Sequence, residues 1–325
     1  MRIMPYTPKA LSAEIKMDCE PDPMKIQPPT PFSTWDWTVL CASVMKGEPH
    51  CITVRKKEHM VAQLQYCSMN KPGGLTAQQP IYSQYGGFHL LTSTKKDPRS
   101  SLIRKHQVMD AIAAALEENY IGVDIVLPPD ILDVRPFLWR GWHIRPRYSR
   151  VFDLANLEID QCARSLSKQI RKAQCQNVIV EEENSPKNLY ALYRLTFERQ
   201  HLVPPLDEDR FILLWSAVEK RFNLRLFFAN WRGKRIAGNA VIFFGDTVWD
   251  WIAGADETAR SLGAPSLLKW HIAQTMKEAK AGTFDLCGTD HPTIGNFKAG
   301  FPGWEVLHFQ LQWPNGNKGE CHDRL

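Results

Sequence analysis

The stretch FDLCGTDHPTIGNFKAGFPGWEVLHFQLQW, positions 284–313, holds an apolar run, a turn at Gly288, a short segment with Phe297 and Lys298, and a second alternating run. That pattern predicts a strand, a glycine turn, a brief helix and a final strand. Immediately before it, APSLLKWHIAQTMKEAKAG (264–282) predicts a helix with Pro265 in its first turn and Gly282 just past its end. Earlier still, LRLFFANW (224–231) and KRIAGNAVIFFG (234–245) form a hairpin about Arg232-Gly233, and DTVWDWIAGAD (246–256) adds a third strand. VIVEEE (178–183) is a strand, and helices are expected at 160–175, 186–200 and 207–221.

The first half has the same order of elements. A helix is expected at 32–45, with Ser33 or Thr34 as its N-cap, and two strands within 51–69 are joined by the charged turn RKKEH. Residues 70–88, with Tyr82, Tyr85, Gly86 and Gly87, read as a loop. Apolar residues at 108, 109, 112, 115 and 116 predict a helix over 101–120, followed by a strand at 122–129. A turn at Pro136 leads to strands about Trp142 and Val151. The fold class expected is α/β (α+β): two domains, each a mixed, largely antiparallel sheet flanked by helices. Their limits are set at 32–155 and 156–315, after a disordered Pro-rich leader (1–31) and before a tail (316–325).

A chain of 325 residues supports a sizeable core, and a net charge of +5 favours an anionic substrate without implying DNA. The eight cysteines include no CxxC pair and no zinc-like spacing, so scattered thiols in a reducing cytoplasm are expected, with no metal and no resident cofactor. No apolar run reaches the roughly 20 residues of a membrane-spanning helix.

Antiparallel strands, a loop, a helix and another strand is the core order of the GNAT N-acyltransferases. Within that superfamily the chain resembles the FemAB-like (Fem-type) peptidyltransferases. The resemblance rests on SKQIRKAQCQNVIVEE (167–182), SLLKWHIAQTMKEAKAG, and FDLCGTDHPTIGNFKAGFPG with its Phe-Lys-x-Gly-Phe-x-Gly pattern. DVRPFLWRGWHIRPRYSRVFDL (133–154) is similar to the family's hinge segment. The resemblance implies two GNAT-like domains and transfer of an acyl or aminoacyl group to an amine of a peptidoglycan-type precursor. Aminoacyl-tRNA and acyl-CoA are both candidate donors. The long helical hairpin that family members use toward tRNA has no counterpart between 186 and 222. A lipid-linked precursor would place the enzyme at the inner membrane face, although no amphipathic anchor is evident in the sequence.

Such a transfer needs a polarised donor carbonyl, a stabilised oxyanion and an aligned amine, with no covalent nucleophile. The resemblance points to Lys298 for the developing negative charge, with Phe297 as its aromatic neighbour; a solvated surface lysine is the alternative. Asp285 and Asp290 flank the Gly288 turn, either to orient the acceptor amine or simply to cap the turn. Arg164, Lys168, Arg171 and Lys172 share a helix face that suits a diphosphate, or is solvated; Arg147, Tyr148 and Arg199 are further substrate contacts. Asp250, between Trp249 and Trp251, faces the opposite side of its strand, toward a cleft or toward solvent.

The donor has its own test. GNAT enzymes that use coenzyme A hold its pyrophosphate on backbone N–H groups of an Arg/Gln-x-x-Gly-x-Gly/Ala turn before the main helix. Here the turn is Arg260-Ser-Leu-Gly263-Ala-Pro265, and Pro265 has no N–H to give. Arg260 and Gly263 thus mark a partial cofactor site. Three readings remain open: a Fem-type transferase, an acetyl-CoA-dependent acetyltransferase of a small amine or sugar nucleotide, and a catalytically silent GNAT-like binding module.

Overall fold

The computed structural model describes residues 11–16, 28–91 and 97–314. The chain divides into two compact units. The first takes the described residues up to Pro146 and those from His308 onward; the second takes Arg147–Leu307.

In the first unit, β1 (Ser12–Lys16) is followed by α1 (Trp35–Met45), β2 (Glu48–Lys56), β3 (His59–Lys71), β4 (Gly74–Gln78) and β5 (Gly87–Leu90). Then come α2 (Pro98–Asn119), β6 (Gly122–Val126), α3 (Arg135–Trp139) and the start of β7 (His143–Asp153). The second unit holds α4 (Arg164–Cys175), β8 (Ile179–Glu182), α5 (Pro186–Glu198), α6 (Glu208–Glu219), β9 (Asn223–Trp231), β10 (Lys234–Phe244) and β11 (Thr247–Ala255). It continues with α7 (Glu257–Leu262), α8 (Ala264–Glu278), β12 (Thr283–Gly288), α9 (Pro292–Lys298) and the start of β13 (Trp304–Trp313).

Each unit is a mixed, largely antiparallel sheet with helices against it. The first runs β1-β2-β3-β4-β6-β13, with β5 also on β3; only β4 and β6 are parallel. The second runs β7-β12-β11-β10-β9-β8, with only β12 and β11 parallel. Both sheets recruit a remote strand. Gln310–Trp313 of β13 pair with β6, and the β7 residues Ser149–Asp153 pair with β12.

One core lies beneath α2, where Val108, Met109, Ile112 and Leu116 meet Ile52, Val54, Leu64 and Ile125. The other lies beneath α4 and α8, where Leu166, Ile170, Leu268, Ile272 and Met276 meet Val241, Phe284 and Leu286. Both cores follow the 3.6-residue helical and two-residue strand periods that the sequence displays.

The structure departs from the sequence reading in several places. Ser12–Lys16, inside the expected leader, is a strand paired with β2, and Thr30 caps a 3-10 turn at Pro31–Ser33. Residues 1–10 and 17–27 of that leader, and the tail at 316–325, lie outside the described residues. The expected loop at 70–88 contains β4 and the start of β5, because Gly73 and Gly74, both at positive φ, turn the chain tightly back onto β3. Pro136 sits in the first turn of α3, where its missing N–H costs nothing, and one strand rather than two follows. The boundary expected at 155 falls just past β7, while the observed division falls inside that strand, and Leu311 of β13 is buried in the first core. Cys51 is disulfide-bonded, whereas Cys41, Cys67, Cys162, Cys175 and Cys287 are free. Spacing alone carries no information about which thiols fold to bonding distance.

Candidate active site

The ladder between β11 and β12 joins Thr247 to Thr283, Val248 to Phe284 and Trp249 to Asp285. It ends there, although β11 runs on to Ala255 and β12 to Gly288. Two irregularities flank this parting. The β10–β11 register shifts between Ala240 and Val241, and the β12–β7 register shifts between Asp285 and Gly288. Cys287 adopts a left-handed backbone (φ 59°), an uncommon state for a residue with a side chain.

Lys298, at the end of α9, reaches back across this irregular strand end. Its Nζ donates to the Leu286 carbonyl at 2.5 Å and to the Gly288 carbonyl at 2.7 Å. An ammonium has three N–H groups, so one remains for a ligand. The expected pairing with Phe297 takes another form: Phe297 packs edge-on against Phe301 (6.0 Å between centroids), which stacks on Phe152, which in turn meets Phe284. The aromatic residues therefore form a floor that fixes α9, while carbonyls hold the cation. Arg150 supports the same floor by donating from Nε and Nη2 to the Phe301 carbonyl at 3.0 and 2.9 Å.

The candidate aspartates are both engaged. Asp285 is buried, and its Oδ1 accepts from the Cys287 N–H at 2.7 Å, the geometry of an Asx turn. Asp290 pairs with Arg147 and accepts from the Tyr148 N–H at 3.0 Å, which pins the loop after β12 to β7. The Cys287 thiol beside them is buried, and its pKa is pushed well up by burial and then by the charges of Asp285 and Asp250. It stays protonated and is a poor nucleophile.

The sequence missed the charge network at the heart of the second unit. Lys269, on α8, is 5% exposed, and its Nζ donates to Asp250 Oδ2 at 2.5 Å and to Asn239 Oδ1 at 2.6 Å. Asn239 in turn donates to Asp250 Oδ1 at 2.8 Å. Asp250 thus does not face solvent; at 8% exposure it is the counter-ion of a buried lysine. Burial lowers the Lys269 pKa, Asp250 opposes that shift, and the Lys298 charge adds to it. The sequence did carry a signal. Lys269 sits on the stripe that includes Ile272, Ala273 and Met276, where a lone lysine demands a buried acid.

The turn between α7 and α8 is closed from outside. Gly263 caps both helices in the left-handed conformation (φ 77°), and a Cβ there would lie 2.6 Å from the Gln169 carbonyl of α4. Ser266 donates to Gln169 Oε1 at 2.8 Å, and Lys172 donates to the Ser261 carbonyl at 2.7 Å. Helix α4 thus sits on the turn that would cradle a pyrophosphate. Arg164, Lys168 and Arg171 project from α4 into solvent, while Leu166, Ile170 and Ala173 face inward. Arg199 donates to the Ala255 carbonyl at 2.6 Å and lies within electrostatic range of Arg260; burial and that like charge both lower its pKa. The fold therefore gathers Arg199, Arg260 and Lys172 about α7. It sets Lys298, Phe297 and Asp285 at the end of β12, and joins Arg147 and Tyr148 to Asp290.

Residues 160–298 match a family model described as "Acetyltransferase (GNAT) domain". Among solved structures, one titled "Crystal structure of FemX" superposes with a TM-score of 0.60 at 12% identity, covering 85% of this chain and 90% of that one. A tandem GNAT protein from the clavulanic acid biosynthesis pathway gives 0.52 at 13% identity, covering 92% and 98%. L-PGS from Bacillus licheniformis gives 0.52 at 11% identity, covering 88% and 92%. No curated protein matches the sequence. No described helix is long and apolar enough to cross a membrane. The strand order, the parting of the parallel pair and the matched segment together give the chain a GNAT acyltransferase fold, and it is an enzyme of acyltransferase type.

Proposed function

We propose that the protein is a Fem-type N-acyl or aminoacyltransferase that joins an acyl group to an amine of an anionic cell-envelope precursor. The observation that carries this reading over a coenzyme-A-dependent acetyltransferase is the occupied turn at Arg260–Pro265. Pro265 lacks an N–H, Gly263 is covered by Gln169, and the Ser266 hydroxyl is already bonded. The backbone of this turn therefore lacks the N–H cradle on which coenzyme A rests its pyrophosphate. The donor is then an aminoacyl ester, such as aminoacyl-tRNA, or another activated acyl group.

In this reading the acceptor amine attacks the donor carbonyl carbon directly. A C–N bond forms as the carbonyl oxygen takes negative charge; the C–O bond to the leaving group then breaks as the carbonyl re-forms, and the proton given up by the amine ends on the departing alcohol oxygen. Lys298 meets the oxyanion with its third N–H, already aimed by the Leu286 and Gly288 carbonyls. The protonated state of Cys287 supports direct attack over an acyl-cysteine intermediate. Arg199, Arg260, Lys172 and Arg171 supply positive charge for the precursor's phosphates. Arg147, through Asp290, holds the loop that precedes α9, with Tyr148 on the same mount. The structural limits assigned to the two domains, and the roles of these residues, are parts of the same proposal.

Calorimetry of the purified protein against acetyl-CoA and a UDP-linked muropeptide precursor tests it. Binding of the precursor alone, weakened by Arg171→Ala/Lys172→Ala, is expected. Tight acetyl-CoA binding would establish the acetyltransferase reading instead. No binding of either ligand, with unchanged phenotype in Lys298→Ala, would favour a silent module.

A further inference from the structure

The first unit carries an apolar face that its own core does not use. Leu138 and Trp139, at the end of α3, are 50% and 67% exposed, and Leu132 just before it is 62% exposed. Leu102 and Ile103, on the N-terminal half of α2, are exposed as well. The two helices pack together there: the His106 ring meets Trp139 edge-on at 5.2 Å, and the Arg135 guanidinium lies 6.0 Å from the Trp139 ring centroid. Leu102 and His106 are one helical turn apart, so α2 extends the patch that Trp139 begins.

Cations flank this patch along α2. Arg99, Arg104 and Lys105 lie on the same part of α2 and have no ion-pair partner among the described residues. Of the nearby acids, Asp133, Asp110 and Glu117 are neutralised within the unit, while Asp97 and Asp130 are exposed. Asp133 is held by Arg135 and His106, each at 2.7 Å, and Arg140 binds Asp110 at 2.9 Å and Glu117 at 2.6 Å. Exposed Trp and Leu beside unpaired Arg and Lys is the composition of a surface that sits at the boundary between lipid headgroups and acyl chains. The indole and leucines enter the boundary, and the cations meet lipid phosphates. A protein partner matching this face would have to offer an acidic rim around an apolar socket; an anionic bilayer presents both everywhere.

We infer that the α2–α3 face of the first unit docks the enzyme reversibly on an anionic lipid bilayer. This goes beyond the acyl-transfer reading and stands or falls independently of it. Full-length protein is to be sedimented with phosphatidylcholine vesicles, with and without phosphatidylglycerol. Binding only to the phosphatidylglycerol vesicles, weakening as salt rises, is expected. Leu138→Ser/Trp139→Ser and, separately, Arg104→Glu/Lys105→Glu should each reduce vesicle partitioning at least about tenfold, with thermal unfolding unchanged. Leu138 and Trp139 are exposed and Arg104 and Lys105 half-buried, so the unfolding measurement shows that each variant folds, and the charge-reversal pair serves as the independent check. No sedimentation with phosphatidylglycerol vesicles, or partitioning unaffected by both double variants, would overturn the inference.

Discussion

The two units use one sheet plan and treat its weak point in opposite ways. In each, a single parallel pair separates beyond its first few residues. In the second unit, where β11 and β12 part, the space is organised by two lysines, an asparagine and two aspartates. In the first unit the β4–β6 ladder ends at Gln78 and Asp124, and the chain then loops through 79–86 before resuming on β3 as β5. That loop closes the gap with neutral groups. Gln79 Oε1 caps the Val126 N–H at 3.1 Å, Trp37 reaches Ser83 at 2.7 Å, and Ile81 and Tyr85 are buried. One parting is filled with chain and the other with charge, a contrast that supports the proposed chemistry in the second unit and the proposed docking on the first.

The strongest way to break this contrast is through Lys269. Lys269→Met strands Asp250 as an unpaired buried charge. It should cost about 3–5 kcal/mol of stability in urea denaturation, most of it regained when Asp250→Leu is added. A Lys269→Met protein as stable as the parent would show that the pair is not a charged unit at all. Next in size, Lys298→Met should lower kcat by about 10²–10³ with little change in the urea midpoint. Equal loss of stability and activity would reduce Lys298 to a clamp between α9 and β12.

On the other side, Gly86→Ala tests the filled gap. Its Cβ would lie 2.0 Å from the Val126 carbonyl, so a destabilisation of about 1–3 kcal/mol is expected with kcat per folded molecule retained. The smallest effect concerns pH. Burial holds His50 and His89 in the first unit, and His271 in the second, below their usual value near 6.5. As pH falls through 6.5 the unfolded chain takes up protons that the folded chain refuses, so stability declines from there toward the depressed folded values. His89→Gln should flatten that decline in urea midpoints measured from neutral to mildly acidic pH. An unchanged slope would mean that His89 does not contribute.

Much of this was legible in the chain. The Arg232-Gly233 hairpin, the helix opening at Pro265, and the strand–turn–helix–strand ending with Phe297 and Lys298 all appear where local pattern places them. Those features depend on neighbours in sequence. The Lys269–Asp250–Asn239 network depends on three elements meeting, so no local window contains it. The same applies to the cover that α4 places over Gly263, since Gln169 and Gly263 are remote in sequence. The lipid-facing patch escaped notice because Leu102 and Trp139 sit far apart in sequence, on separate helices, and only folding brings α2 beside α3.

The exchanged strand ends also set an order of events at the ribosome. Gln310 bonds to Asp124 across 186 residues of chain, and β6 stays an open sheet edge until β13 has been made. The usual course, in which an N-terminal domain folds before the rest is synthesised, is therefore unavailable to this protein. Its first sheet must wait, with one edge unpaired, for β13, the last of the described strands, to emerge. Chains interrupted before β13 has been made would thus be the ones most exposed to edge-to-edge aggregation.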